Sequence, residues 1–355
     1  MRNKRNVIAG ILAVICMVTT GSLLYVQNQQ NNKIVRVDNH EESICDAAGE
    51  VIVATEVETL QEIVEEVISE VPEEVEEAEP ALCGWELLDP GITVSAPVDY
   101  SPEEVADEIR RLAKEDERYQ VIAEHYGQYP YYLIKDLVNN PEMLSFVLGY
   151  PGDDVTEKDI LPVELEQVCP LFLQWDPRWG YEEYGAGTNI AVSGCGPTAL
   201  AMVATGLTHT AVSPAEVAEF AIENGYRVMG SGTTWGLMRK GCREFGISSK
   251  ELSLKEDALK AALDEGKLMV ISVKGGDFTL KGHYMVIHGY DEEGFYVNDP
   301  MCIYRSKQKW PYKVLGKQLK GAWAFEAMND GSTYEELESQ DTDNNADEEG
   351  AAGDE

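Results

Sequence analysis

The chain has 355 residues, a formal net charge of −36 at pH 7 and 26% charged residues. That acidity excludes nucleic acid and anionic lipid as main partners of the soluble part. The length allows one or two domains plus tails. The charge is unevenly spread, because no Lys or Arg occurs between Arg36 and Arg110 or after Lys320.

Arg2, Lys4 and Arg5 precede an uncharged run from Val7 to Val26. About 20 apolar residues suffice to cross a bilayer as a helix, and a basic flank stays cytoplasmic. The expectation is a cytoplasmic flank over 1–6, an uncleaved single-pass anchor over 7–26, and an extracytoplasmic remainder at the cell membrane. A signal peptide would have a shorter apolar core and a small-x-small site. Here the run continues through Leu23-Leu24-Tyr25-Val26 without one. Residues 27–90 are rich in Gln and Asn and then in Glu, so they read as an acidic, disordered tether. Residues 331–355 read as a tail of the same kind.

A helical module is expected over 91–160. Ser101-Pro102-Glu103-Glu104 is a capping box with proline at the first helical position. Apolar residues including Ile109 and Leu112 continue at helical spacing to about Tyr119. A second helix comes after Tyr129-Pro130, with Leu133, Ile134, Leu137 and Val138 on one face. Asn140-Pro141 starts a third, carrying Met143, Leu144, Phe146 and Val147. These helices are too short to bury themselves alone and should pack on the domain downstream of them.

The main domain is expected over 161–330. Helices come first: Cys195 to about Gly206, Pro214 to Asn224, Trp235 to Phe245, and Leu254 to about Asp264. Strands come next at Leu268–Val273, His283–Tyr290, Phe295–Asn298, Ile303 to about Lys309, and Ala322–Ala327. Helices and then a run of antiparallel strands make the fold class α+β.

Seven cysteines occur, and none forms a C-x-x-C pair. A zinc or dithiol redox site is therefore not expected, nor is a cofactor. Cys195 in Ser193-Gly194-Cys195-Gly196-Pro197-Thr198 sits where a Gly-rich turn enters a helix, and a helix N-terminus favours a thiolate. His283 and His288 lie five apart on one strand and so face opposite sides. The hairpin at Asp291-Glu292-Glu293-Gly294 brings Asp299 back beside His283, where a carboxylate would orient the imidazole. Asn298 should face the other side. Gln174, in an aromatic-rich loop, could donate to an oxyanion together with the N–H of Cys195.

These four stretches occur in a set order: Gln174-Trp-Asp-Pro-Arg-Trp-Gly, Ser-Gly-Cys195-Gly-Pro-Thr-Ala-Leu-Ala-Met, Gly-His283-Tyr-Met-Val-Ile-His-Gly-Tyr and Tyr-Val-Asn-Asp299-Pro. Together they resemble the bacteriocin-processing (double-glycine leader) cysteine peptidases. They are more similar to the stand-alone extracytoplasmic relatives of that family within the papain-like group. The resemblance runs from about Leu165 to Ala327. It implies a papain-like fold, with Cys195 as nucleophile, His283 as base, Asp299 as orienting group and Gln174 as oxyanion donor, acting on a peptide or protein substrate. Leader-trimming members are usually fused to a transporter with a phosphate-binding loop. This sequence has no G-x-x-x-x-G-K-[ST], so the leader substrate does not carry over. Two other readings stay open: amidase or transglutaminase-like acyl transfer on cell-wall or other amides, and a catalytically silent surface binding module.

Overall fold

The structure is a computed structural model that describes residues 92–150, 159–185, 187–230 and 232–328, and the backbone of four strands within 23–53. These strands, β1 (Leu23–Asn28), β2 (Lys33–Asp38), β3 (Glu41–Cys45) and β4 (Val51–Val53), pair in sequence order as an antiparallel sheet. This differs from the expected anchor end and extended tether. Leu23–Val26 is strand, and β-branched residues such as Ile34, Val35 and Val37 favour pairing over a solvated coil. Residues 7–22, most of the expected anchor, lie outside the described residues, as does the expected tail. Among the described residues no helix is long and apolar enough to cross a membrane.

The second unit begins with four helices: α1 (Pro102–Leu112), α2 (Glu117–Glu124), α3 (Tyr131–Asn139) and α4 (Leu144–Leu148). The capping box of α1 is present, with Glu104 N–H donating to Ser101 Oγ and Ser101 N–H to the Glu104 carboxylate. The expected run to Tyr119 is broken after Leu112, because Asp116 caps a new helix by accepting from Arg118 N–H. Val105, Ile109, Leu133, Ile134, Leu137, Phe146 and Val147 are buried in the same core as Leu200, Val203, Val286 and Phe325. The short helices therefore share one apolar core with the downstream helices and sheet.

After α5 (Pro162–Leu165) and α6 (Ile190–Ser193) comes α7 (Cys195–Thr208). Every residue of α7 from Gly196 to Gly206 is buried, as expected of a helix that is apolar all round. Gly206 permits this: a Cβ there would lie 2.3 Å from Val168 O. Next come α8 (Pro214–Glu223), the hairpin β5 (Arg227–Val228) and β6 (Gly232–Thr233), α9 (Trp235–Arg239), β7 (Ile247–Glu251) and α10 (Glu256–Asp264). The helix expected over Trp235–Phe245 is not continuous. It breaks at Lys240 and resumes as a 3-10 turn over Gly241–Phe245. A Cβ at Gly241 would meet Leu237, Tyr226 and Phe220 at 2.9–3.2 Å, so this backbone is pressed against aromatic packing.

The chain then runs through β8 (Leu268–Lys274), β9 (Gly282–Tyr290), β10 (Phe295–Asn298), α11 (Ile303–Ser306), β11 (Lys309–Trp310), α12 (Tyr312–Leu315) and β12 (Leu319–Ala327). Six strands form one antiparallel sheet in the order β11-β10-β9-β8-β12-β7. The expected strand over Ile303–Lys309 is instead α11, with only Lys309–Trp310 pairing as β11. The strand β7 has no counterpart among the expected elements. Its sequence Ile-Ser-Ser-Lys-Glu is polar because it lies at the sheet edge. One sheet face packs on α7 through Val270, Tyr284, Val286 and Trp323. The other face, with Met269, Ile271, Met285 and Ile287, packs on Leu259 and Ala262 of α10. The described architecture is α+β.

Candidate active site

Cys195 is the first residue of α7, after Gly194 at the cap position. It is a free, half-buried thiol, so it meets the unpaired N–H groups of a helix start. The His283 imidazole and the N–H groups of Tyr284 and Gly196 favour its thiolate. Burial raises the thiol pKa. The hydrogen bond and charge of His283 and the two N–H groups outweigh it, and the pKa falls below its ordinary value.

His283 stands near the start of β9 and is 6% exposed. Its Nε2 lies 2.7 Å from Asp299 Oδ1, which leaves Nδ1 for the thiol. The β9–β10 register explains this contact. Val297 faces Ile287 and Asn298 faces Val286, so the next residue falls diagonally across from His283 on the same face. Burial disfavours the imidazolium, but the Asp299 carboxylate and the Cys195 thiol outweigh it and raise His283 to about 9. Asn298 faces away and donates to the carbonyls of Cys169 and Pro170. His288 lies against the Tyr296 ring instead.

Asp299 is fully buried. Met301 N–H donates to its Oδ1 at 2.8 Å, and Arg305 Nε donates to Oδ2 at 2.6 Å. Burial raises the carboxyl, but Arg305 and His283 outweigh it and hold it at about 2. Arg305 is itself 5% exposed. It escapes sequence reasoning because its segment reads as a strand. A short helix after Asp299-Pro300 is the signal that could have found it, since an arginine there turns back on the carboxylate.

Gln174 is 3% exposed. Its backbone N–H donates to Pro300 O at 2.7 Å, and its side-chain Nε2 donates to Ala191 O at 2.6 Å. The glutamine is thus tied both to the Asp299 loop and to the turn before Cys195. One amide hydrogen remains for a ligand, and Oε1 is buried without a partner. A buried unpaired amide oxygen costs about 1–3 kcal/mol, and such exceptions in native structures call for an explanation. Asp136 on α3 is a further carboxyl near His283. Burial raises it to about 7 against the pull of Lys135 and His283.

Residues 168–332 match the model of the Peptidase_C39 like family. This segment is a C39-like cysteine peptidase domain. A crystal structure of a protein from Bacillus anthracis, described as a C39-like peptidase, is similar at 18% identity, covering 38% of this chain and 88% of that one with a TM-score of 0.26. No curated protein matches the chain. The C39-like segment contains Gln174, Cys195, His283, Asp299 and Arg305, whereas Asp136 lies upstream of it.

Proposed function

We propose that the C39-like domain hydrolyses peptide bonds by acyl transfer through Cys195. The observation that carries this reading is the His283–Asp299 pair, 2.7 Å apart, together with Cys195 at the N-terminus of a buried helix, whose thiolate His283 favours. The thiolate attacks the peptide carbonyl, and the tetrahedral oxyanion is held by backbone N–H groups and the uncommitted Gln174 amide hydrogen. The His283 imidazolium gives its proton to the leaving amine, which departs and leaves a thioester. His283 then takes a proton from water as that water attacks, and the thiolate is released with the acid product. Asp299 holds the ring in one tautomer and supports its charge.

The test is incubation of the full chain with a protein or peptide library and identification of the new termini. Cys195→Ala should fold, bind and produce none. Cleavage by that variant at the wild-type rate overturns the assignment. Product analysis also separates hydrolysis from transfer of the acyl group to another amine.

The second part of the reading is a single-pass membrane anchor with the C39-like domain outside the cell. It is supported by the uncharged run Val7–Val26 behind Arg2, Lys4 and Arg5. The strand beginning at Leu23 shortens the stretch free to be helical. Alkaline extraction of membranes from cells expressing the full chain tests it: an anchored protein stays in the pellet, and release into the supernatant rejects the anchor.

A further inference from the structure

The loop that carries Asp299 is held from outside the C39-like segment. Asn140 Nδ2 donates to Met301 O at 2.6 Å, beside Trp175 Nε1, which reaches the same carbonyl at 2.8 Å. Glu142 accepts from Ile303 N–H at 2.8 Å with one oxygen and from Tyr304 N–H at 2.7 Å with the other. Those N–H groups open α11, which would otherwise leave them orphaned. Two residues further on, Arg305 grips Asp299. Both Asn140 and Glu142 come after α3 in the helical region and lie before residue 168.

The charges along this path alternate: Glu142, Arg305, Asp299, His283. Arg305 of α11 and Cys302, which caps it, face Glu142. Asp299, Cys195 and Asp136 face His283. A carboxylate is suited to the start of a helix, where it meets two N–H donors and the positive end of the dipole. The arrangement also counters the charge of Arg305, which without Glu142 would be answered by Asp299 alone.

We infer that Glu142, with Asn140 beside it, is a positioning residue for the proposed acid–base pair: by fixing α11 it sets where Arg305 holds Asp299 against His283. This rests on the reading of Cys195, His283 and Asp299 as the reacting chain. It makes the helical region part of the working enzyme, because the C39-like segment by itself lacks Asn140 and Glu142, two of the side chains that clamp the Asp299 loop.

The test uses the full chain with Glu142→Ala and Glu142→Gln, each rate normalised to titratable Cys195 thiol. Glu142→Ala removes both acceptors and the charge. Glu142→Gln keeps the size and one acceptor but not the charge. Expected are a kcat lowered about 10-fold or more in Glu142→Ala, a smaller fall in Glu142→Gln, and KM within about 3-fold of wild type, since misplacement away from the chemistry acts mainly on turnover. The alkaline limb of the pH–rate profile should move to lower pH in both variants. A looser Asp299 disfavours the imidazolium. A role in packing alone would lower melting temperature but leave kcat per thiol and the alkaline limb in place, and that result overturns the inference. If Glu142→Ala fails to fold, Glu142→Gln decides. Retained cleavage by Cys195→Ala is the separate result that would sink the underlying reading.

Discussion

Asp299→Asn probes the proposed chain at its most buried member. Burial alone would take His283 below its ordinary 6.5, yet it stands at about 9, chiefly through the Asp299 carboxylate. That difference corresponds to about 3 kcal/mol in favour of the imidazolium. Removing the negative charge leaves burial opposed by Cys195 alone, so the imidazole should fall well below 9. At pH 7.5 a smaller share of His283 would then carry the proton the leaving amine needs. With the tautomer also unfixed, kcat/KM should drop about 10²–10⁴-fold. The assay is kcat/KM against pH on a substrate found in the cleavage screen, normalised to titratable thiol. The alkaline limb should move from near 9 to lower pH. A second readout is stability. A raised histidine pKa stabilises the fold fully below the unfolded value, and that contribution disappears as pH climbs through the folded value. Wild type should therefore lose about 3 kcal/mol between pH 6.5 and 9, and Asp299→Asn should lose less. The variant also leaves Arg305 with Glu142 but without its hydrogen-bonded carboxylate, at a cost of up to about 3–5 kcal/mol, so rates are best measured well below its melting temperature. An alkaline limb still near 9 in folded Asp299→Asn would refute the reasoning.

Three further outcomes are expected. Iodoacetamide at pH 7 should modify Cys195 ahead of the other described cysteines, because burial pushes Cys169 up to about 12, Cys242 up to about 11 and Cys302 upward as well; peptide mapping that finds Cys242 labelled first would contradict this. Gln174→Ala should cost about 10²–10³ in kcat with little change in KM if its free amide hydrogen meets the oxyanion, and an unchanged kcat would remove it from that role. Gly206→Ala should place a Cβ 2.3 Å from Val168 O and 3.2 Å from Cys169 Cα, forcing α7 off its neighbour. A loss of about 1–3 kcal/mol in denaturant unfolding is expected, and wild-type stability would mean the 168–169 backbone yields freely.

How far the sequence can be read depends on whether the deciding contacts are local. The start of α1 is legible because Ser101 and Glu104 satisfy each other within one turn. The meeting of His283 and Asp299 is legible because a tight hairpin fixes register across a few residues. Cys195 at the head of α7 is legible because Gly194 and Pro197 punctuate that turn. The segment after Pro300 is not. Ile303-Tyr304-Arg305-Ser306 carries β-branched and aromatic residues that read as strand, and it is helical because partners far along the chain make it so. Ile303 and Tyr304 N–H groups find the Glu142 carboxylate 161 and 162 residues earlier. No pattern inside residues 299–310 encodes that partner.

The same non-locality separates the proposed reacting groups from the residues that aim them. Cys195, His283 and Asp299 sit in short motifs that can be matched one by one. The loop beneath them is pinned by Gln174 N–H to Pro300 O, by Trp175 and Asn140 to Met301 O, and by Glu142 to the start of α11. Three of these four residues are not titratable, and none of the four is a member of the proposed triad, yet each bears on the carboxylate that sets the charge of His283. A buried acid–base pair gains from rigid support because its electrostatic advantage exists only at fixed geometry in a low-dielectric site. In this chain part of that support comes from helices upstream of the C39-like segment, so the boundary drawn by sequence family and the boundary of the proposed acid–base machinery fall in different places.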